Sequence, residues 1–417
     1  MKKIRLIYAL ILVFTLQFAT AQNYVVTSVA KQGATYLQVA ENSLTFSQSA
    51  GEQTVAVTTN LEFQFESDAD WCTVAKDGSN LKISVTENND GEDRSTLVTL
   101  KSKDGHAQVI EVNQLVPPTF AVISDVHLGS STGEGAMVKV PRALKNLTSQ
   151  KKLDAIFVVG DLTDGGNPNQ YKQLVSVFSN EDNFVKPVGQ KIFMMGNHDN
   201  YSAISNYKNG LKSFNNGKEY PLDQYIVIKG YPFITISNRN GSNNDDTNPS
   251  NGEGAYPKAV QDTLASWLAR AAKECPGKPI FVFTHIPPKY GCYSSWPGEG
   301  DSETWPTWGM RVLNPILNKY PQAVVFSGHS HFPLGDPRSI HQGVNKDSDK
   351  QNYYTVINTG STTYSEIHSP SVDAGIHPAS YEHITEGLIV NVQPDGNVEV
   401  RRYDTRLNEE IQPDNRW

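Results

Sequence analysis

Two hydrophobic rhythms divide the chain. Between about Thr35 and Gln114, apolar and polar residues alternate over short runs, the period of strands with one buried face. Predicted strands are Ser43–Phe46, Thr54–Thr59, Phe63–Glu66, Cys72–Val74, Leu81–Val85, Leu97–Leu100 and Val109–Val112. Turn pairs Asp77-Gly78, Asp90-Gly91 and Asp104-Gly105 punctuate them, and no helical period intervenes. The expectation is a β-sandwich over 35–115, with Trp71 as a core plug. Past Pro117-Pro118, where fixed φ angles stiffen the joint, continuous apolar runs alternate with helical stretches at Val138–Leu147, Tyr171–Phe178 and Ala259–Lys273. In the last, Val260, Leu264, Trp267, Leu268 and Ala271 recur at spacings that put them on one face. Strand and helix alternation predicts an α/β layered domain over 119–404, leaving a tail at 405–417. The polar piece Asn238–Gly254 reads as a surface loop.

A third pattern lies at the amino end. Lys2, Lys3 and Arg5 precede an uncharged apolar run, Leu6–Leu16, and Ala19-Thr20-Ala21 offers a small-x-small cleavage site. The run is short for a membrane span of ~20 residues. An export signal over 1–21 is therefore expected, with no transmembrane segment in the mature chain. The destination would be the periplasm, the cell surface or the exterior. Losing those three bases takes the formal charge from −8 to −11, a surface that repels polyanions and argues against bulk nucleic-acid binding. Three cysteines, Cys72, Cys275 and Cys292, are an odd number for a disulfide framework. Free thiols are expected.

The candidate chemistry sits where apolar runs stop. Phe120–Ile123 leads into Ser124-Asp125-Val126-His127, and Ile156–Val159 into Gly160-Asp161-Leu162-Thr163-Asp164. Ile192–Met195 leads into Gly196-Asn197-His198-Asp199, Ile280–Phe283 into Thr284-His285, and Ala323–Phe326 into Ser327-Gly328-His329-Ser330-His331. Ligands of open α/β sheets gather at the carboxyl ends of strands. In extended backbone, residues i and i+2 point the same way, so Asp125 with His127 and His329 with His331 can each converge on one centre. Gly160, Gly196 and Gly328 precede ligand candidates where a missing Cβ permits sharp turns and close approach. Carboxylate, imidazole and amide oxygen together suit Mn, Fe or Zn better than Ca or Mg.

Asp-x-His, Gly-Asp-x-x-Asp, Gly-Asn-His-Asp, a later His and Gly-His-x-His, in that order, resemble the signature of calcineurin-like metallophosphoesterases. The resemblance implies a four-layer fold, a central β-sandwich flanked by helices, with two divalent metals at one edge. By position, Asp125, His127 and His331 would bind the first metal. Asn197, His285 and His329 would bind the second, and Asp161 would bridge both. His198 would stand beside the leaving oxygen, oriented by Asp164, with Asp199 as support. The implied reaction is hydrolysis of a small phosphate ester by in-line attack of metal-bound hydroxide. Asp164 stands where purple acid phosphatases carry a tyrosine, and Gly165 where protein Ser/Thr phosphatases carry an arginine. Both departures turn the expectation toward bacterial cyclic-nucleotide phosphodiesterases, glycerophosphodiesterases and related secreted phosphoesterases, with diester cleavage favoured and a phosphomonoesterase or nucleotidase as the alternative.

The first domain resembles the BACON module, an immunoglobulin-like unit of secreted Bacteroidetes proteins, through Trp71-Cys72-Thr73-Val74, the stretch from Arg94 to Val98 and Ile110-Glu111-Val112-Asn113-Gln114. That resemblance implies glycan contact or a spacer role. Tyr290, Tyr293, Trp296, Trp305 and Trp308, in the loop after His285, are candidates for stacking on substrate, and Arg338 for a phosphate clamp. A different class of reading is a carbohydrate- or surface-binding protein with an inactive enzyme fold. Its usual trace, missing metal ligands, is absent from the sequence.

Overall fold

The computed structural model describes residues 34–239, 255–289, 291–292, 310–336, 339–341, 353–368, 375–376 and 382–412. The expected export signal, the aromatic residues Tyr290, Tyr293, Trp296, Trp305 and Trp308, Arg338 and most of the loop Asn238–Gly254 lie outside those residues. So does the end of the tail.

Eight short strands make the first domain: β1 (Leu37–Val39), β2 (Ser43–Phe46), β3 (Gly51–Thr59), β4 (Phe63–Ser67), β5 (Cys72–Asp77), β6 (Asn80–Val85), β7 (Arg94–Ser102) and β8 (Ala107–Gln114). They form two four-stranded sheets, ordered β1-β3-β6-β5 and β2-β8-β7-β4. Their inward residues, among them Leu81, Ile83, Val98, Leu100, Ile110 and Val112, make one apolar cluster. Strand β1 was too short to show as a run in the sequence. Trp71 is not a core plug. It packs partly buried against the cluster, and the Arg94 guanidinium covers its ring at 4.4 Å in a cation–π contact.

The second domain opens with β9 (Thr119–Ile123), α1 (Ala136–Gln150), β10 (Leu153–Val159), α2 (Pro168–Ser179), β11 (Val188–Met194) and α3 (Ile204–Gly210). Then come β12 (Gln224–Ile228), β13 (Tyr231–Ile236), α4 (Lys258–Glu274), β14 (Ile280–Thr284), α5 (Asn314–Leu317) and β15 (Ala323–Ser327). The chain closes with β16 (Ile340–His341), β17 (Thr355–Asn358), the short pair β18 (Ile367–His368) and β19 (Gly375–Ile376), β20 (Glu386–Val392), β21 (Val398–Asp404) and β22 (Glu409–Glu410). Two six-stranded sheets result, β11-β10-β9-β20-β21-β22 and β12-β13-β14-β15-β17-β16.

A seam of aromatic rings joins these sheets. Phe157 of β10 stacks on Phe283 of β14 with centroids 4.1 Å apart, and Phe120 of β9 meets Phe281 edge-on at 5.0 Å. On the other face of the first sheet, Ile123, Ile156 and Val158 pack with Val140, Leu144 and Leu147 of α1 and with Leu174 and Phe178 of α2. Likewise, Ile280 and Val282 pack with Val260, Leu264 and Leu268 of α4. Strands β9, β10 and β11 are mutually parallel neighbours, and so are β13, β14, β15 and β17. Their carboxyl ends, and the loops that leave them, therefore collect on common edges.

The joint between the domains is pinned. Lys229 occupies the first position of the two-residue β12–β13 turn at φ +50°, followed by Gly230 at +77°. Its ammonium lies 3.0 Å from Asp93 of the first domain and 2.9 Å from Asp154 of the second. The other oxygens of those carboxylates accept from Val116 N and Thr119 N, each at 2.9 Å, on either side of Pro117-Pro118.

Candidate metal centre

Five strand ends deliver the seven expected ligands to one buried place. Asp125 and His127 follow β9, Asp161 follows β10, Asn197 follows β11, His285 follows β14, and His329 and His331 follow β15. Asp125 Oδ1 lies 3.1 Å from His331 Nε2, and His127 Nε2 lies 3.3 Å from the same nitrogen. Asp161 Oδ1 is 3.3 Å from His285 Nε2, which is 3.1 Å from Asn197 Oδ1. The donor atoms of Asp125, His127, Asp161 and His331 all fall within 4.8 Å of one another, and so do those of Asp161, His285 and His329. Asp161 belongs to both groups.

The backbone reaches this arrangement by a route different from the expected extended one. Asp125, His127, Asp161, His329 and His331 sit at φ of +51°, +39°, +46°, +69° and +55°. Left-handed backbone costs a residue with a Cβ on the order of 1–3 kcal/mol at such sites and persists only where surroundings enforce it. Here Asp125 N donates to Gly160 O at 3.2 Å and His127 N to Asp161 O at 2.9 Å. The Asp125 carboxylate accepts from His329 N at 3.1 and 3.2 Å. Both residues of each i, i+2 pair are bent inward by their own torsions, so a β-strand's alternation is not what makes them converge.

Glycine is required beside these residues for space. A Cβ on Gly160 would stand 2.3 Å from His285 Nδ1, and one on Gly196 would stand 2.1 Å from Asp161 Oδ1.

The donor chemistry fits a divalent cation. His285 Nδ1 pairs with Val159 O at 2.9 Å and His331 Nδ1 with Tyr364 O at 3.2 Å. A ring whose Nδ1–H donates to a carbonyl presents the lone pair of Nε2, and both Nε2 atoms face the carboxylates. In the protein alone, burial opposes charging these rings. Even so, Asp161 and Asp125 pull His285 up to about 9, and Asp125 pulls His331 up to about 9. His329 is pushed down to about 3 by burial and by the His285 charge. Burial likewise opposes ionisation of Asp161, but the imidazoles of His285, His198 and His127 hold its carboxyl well below the usual range. Buried carboxylates and imidazoles facing one another at such distances are a site that a cation can neutralise.

Around the ligands, roles separate by atom. His198 opens a one-turn 3-10 segment, His198–Asn200, with its side chain one quarter exposed and Nε2 3.9 Å from Asp161 Oδ2. Its Nδ1 pairs at 2.9 Å with the main-chain carbonyl of Asp164. The carboxylate of Asp164, expected to orient His198, lies instead 3.4 Å from His127 Nδ1. Asp199 touches no ligand side chain. Its carboxylate accepts from Gly196 N, Leu162 N and Thr163 N at 2.9–3.0 Å and from Thr163 Oγ1 at 2.8 Å, tying the loop after β10 to the loop after β11. Burial and the Asp161 charge push its pKa up to about 6.

Two features escaped the sequence reading. A sixth strand end, Thr359–Tyr364 after β17, braces the site: Thr363 Oγ1 donates to Asp125 O at 2.6 Å, and Ser124 Oγ joins Thr359 Oγ1 at 2.6 Å. It follows an apolar run as the other five do, but hydroxyls do not signal metal. Lys139 of α1, fully buried, donates to the carbonyls of Thr132, Thr363 and Glu382 and anchors that same loop. The second feature is Tyr201, three residues past His198, whose ring lies 4.5 Å from that of His198. Cys72, Cys275 and Cys292 are buried free thiols, as expected.

Known proteins are similar to this chain in sequence. A family profile described as calcineurin-like phosphoesterase matches residues 118–333, and one described as BACON, a putative binding domain, matches 61–115. A probable cyclic nucleotide phosphodiesterase of Rhodococcus erythropolis is 29% identical over 184 residues, 41% of this chain and 53% of that protein. A 3′,5′-cyclic-nucleotide phosphodiesterase of a Nostoc species is 26% identical over 236 residues, 53% of this chain and 74% of that protein. The match thus spans about half of the first relative and about three quarters of the second. Among solved structures, the M1 domain from titin aligns with 19% of this chain and 94% of its own at 6% identity and a TM-score of 0.16, a likeness that carries no argument. The phosphoesterase profile covers more than half of the 417 residues and reaches from the start of β9 to just past the paired histidines after β15: the chain belongs to the calcineurin-like phosphoesterase family.

Proposed function

We propose that the protein is an exported phosphodiesterase that works with two divalent cations, of the Mn, Fe or Zn kind. Asp125, His127 and His331 would hold one, Asn197, His285 and His329 would hold the other, and Asp161 would serve both. The observation that carries this reading is the pair of overlapping donor groups sharing Asp161. Two cations, when bound, supply a lowered pKa for a shared water and neutralise charge that builds on the phosphoryl oxygens.

The chain's own residues do the rest. With Nδ1–H given to Asp164 O, His198 keeps Nε2 toward the site and can carry the proton that the leaving alkoxide needs. Asp199 holds the two loops that carry Asp161 and His198 at a fixed separation. Charge on the site is local, so a small anionic ester can bind a protein of net negative charge. The names of the two relatives favour a phosphodiester over a monoester. Tyr290, Tyr293, Trp296, Trp305, Trp308 and Arg338 are proposed as substrate contacts, and the first domain as a spacer or glycan contact.

Metal content and turnover test the reading together. Purified full-length protein is expected to carry about two cations per chain and to hydrolyse bis-p-nitrophenyl phosphate faster than p-nitrophenyl phosphate. Metal-free protein that cannot be loaded would refute the centre, and a faster monoester would refute the diester preference.

A further inference from the structure

An aromatic residue on the outer wall of the site has no part in the seven-ligand scheme. Tyr201 closes the one-turn segment after Asn197, its amide donating to His198 O at 3.2 Å. The residue is 47% exposed, with its ring centroid 4.5 Å from that of His198 and tilted by 42°. Its hydroxyl accepts from Asn197 Nδ2 at 3.4 Å. Asn197 thus has one amide end against the phenol and the other, Oδ1, 3.1 Å from His285 Nε2.

The two ends of an asparagine amide are not equivalent toward a cation. Only the oxygen has a lone pair to give, and the NH2 end would face the cation with its protons. Rotation about the last side-chain bond exchanges them and is broad and shallow. A partner on Nδ2 therefore restrains the plane in which Oδ1 is presented. The same ring limits the directions open to the His198 imidazole, whose other edge is set by Asp164 O.

We propose that Tyr201 is a positioning residue with two separable actions: its hydroxyl holds the amide plane of Asn197 for the metal, and its ring holds His198 for the leaving group. This rests on the phosphodiesterase reading above. The hydroxyl action belongs to metal affinity. The ring action belongs to protonation of the leaving oxygen, which matters for an alkoxide and little for p-nitrophenolate, a group stable enough to depart without a proton.

Full-length Y201F and Y201A, with the wild type, separate these actions. Equilibrium dialysis against Mn reads the first: both variants are expected to bind the weaker of two Mn ions about tenfold less tightly, the size typical of a lost partner to a metal ligand. Saturating Mn and two diesters read the second. Y201A is expected to lose about tenfold in kcat on a dialkyl phosphodiester, whose leaving group is an alkoxide, and to stay within about twofold on bis-p-nitrophenyl phosphate. Y201F, which keeps the ring, is expected to match the wild type on both. Wild-type Mn affinity in Y201F overturns the hydroxyl action, and equal losses on both diesters in Y201A overturn the ring action. If the wild type itself binds no second Mn or cleaves neither ester, the failure lies with the phosphodiesterase reading instead.

Discussion

The two domains bury their strands differently, and that difference decides where chemistry can gather. In the first domain, β6 alternates half-buried and buried residues, and β3 and β7 alternate likewise, because each sheet keeps one face toward solvent. Polar side chains are then spread along every strand. In the second, β13 and β14 are buried at every position. Along such strands polar groups are few, Thr235 being one, and they gather at the ends, where loops from neighbouring parallel strands meet. Among the described residues, every cluster of three or more metal-capable side chains belongs to the second domain.

The sharpest way to break this contrast is to remove the residue shared by both donor groups. Asp161→Ala is expected to abolish diester turnover, by at least about 10³-fold, and to leave the protein short of metal by elemental analysis. Substitutions along the exposed faces of β3 or β7 are expected to leave turnover unchanged. His198→Ala is expected to cost on the order of 10²-fold in kcat with metal content intact; near-normal rates would remove it from the reaction.

Glycine substitutions compare the domains on packing. Gly160→Ala drives a methyl group into His285 and is expected to destabilise by about 1–3 kcal/mol and to weaken metal binding. Gly105→Ala, in the β7–β8 turn at φ +87° with open space around it, is expected to cost only about 1 kcal/mol, from backbone strain alone. Urea denaturation of the pair measures the difference.

A smaller effect distinguishes the acids. Burial pushes Glu386 on β20 up to about 8 from 4.5, and its carboxyl accepts from Leu334 N at 2.9 Å. Between those two values the folded chain holds a proton that the unfolded chain has lost, so this group's contribution to stability falls as pH rises across that window. Glu386→Gln is expected to flatten the decline and raise Tm at pH 8 by a few degrees. Glu52 of the first domain, exposed and held low by its hydrogen bond from Lys82, is expected to show no such loss.

Much of this organisation was legible in the sequence because it is written in hydrophobicity. An apolar run that stops at Asp, Asn or His marks a buried strand and its functional end together, and all five such runs led to the same centre. What was hidden is written in torsions and in main-chain atoms. Nothing in the identities of Asp125, His127, Asp161, His329 and His331 announces a left-handed backbone, since only their surroundings enforce it. The side chain of Asp164 was expected at His198, but the main-chain carbonyl serves that ring and the carboxylate turns to His127. Thr359–Tyr364 obeys the same strand-end grammar with residues too ordinary to flag. Tryptophan's size and apolarity suggest a plug; the contact with Arg94, distant in sequence, was not legible there.

Lys229 takes a turn position that ordinarily favours asparagine or glycine, and its ammonium reaches a carboxylate in each domain. With Val116 and Thr119 fastened to the same two carboxylates, Pro117-Pro118 has little torsional freedom left. The mechanical consequence is a single lever in place of two beads on a string. Whatever the sandwich touches, the catalytic mouth would be swung to a set bearing and distance from it. Heat is expected to melt both halves in one calorimetric transition, and Lys229→Met to split it into two.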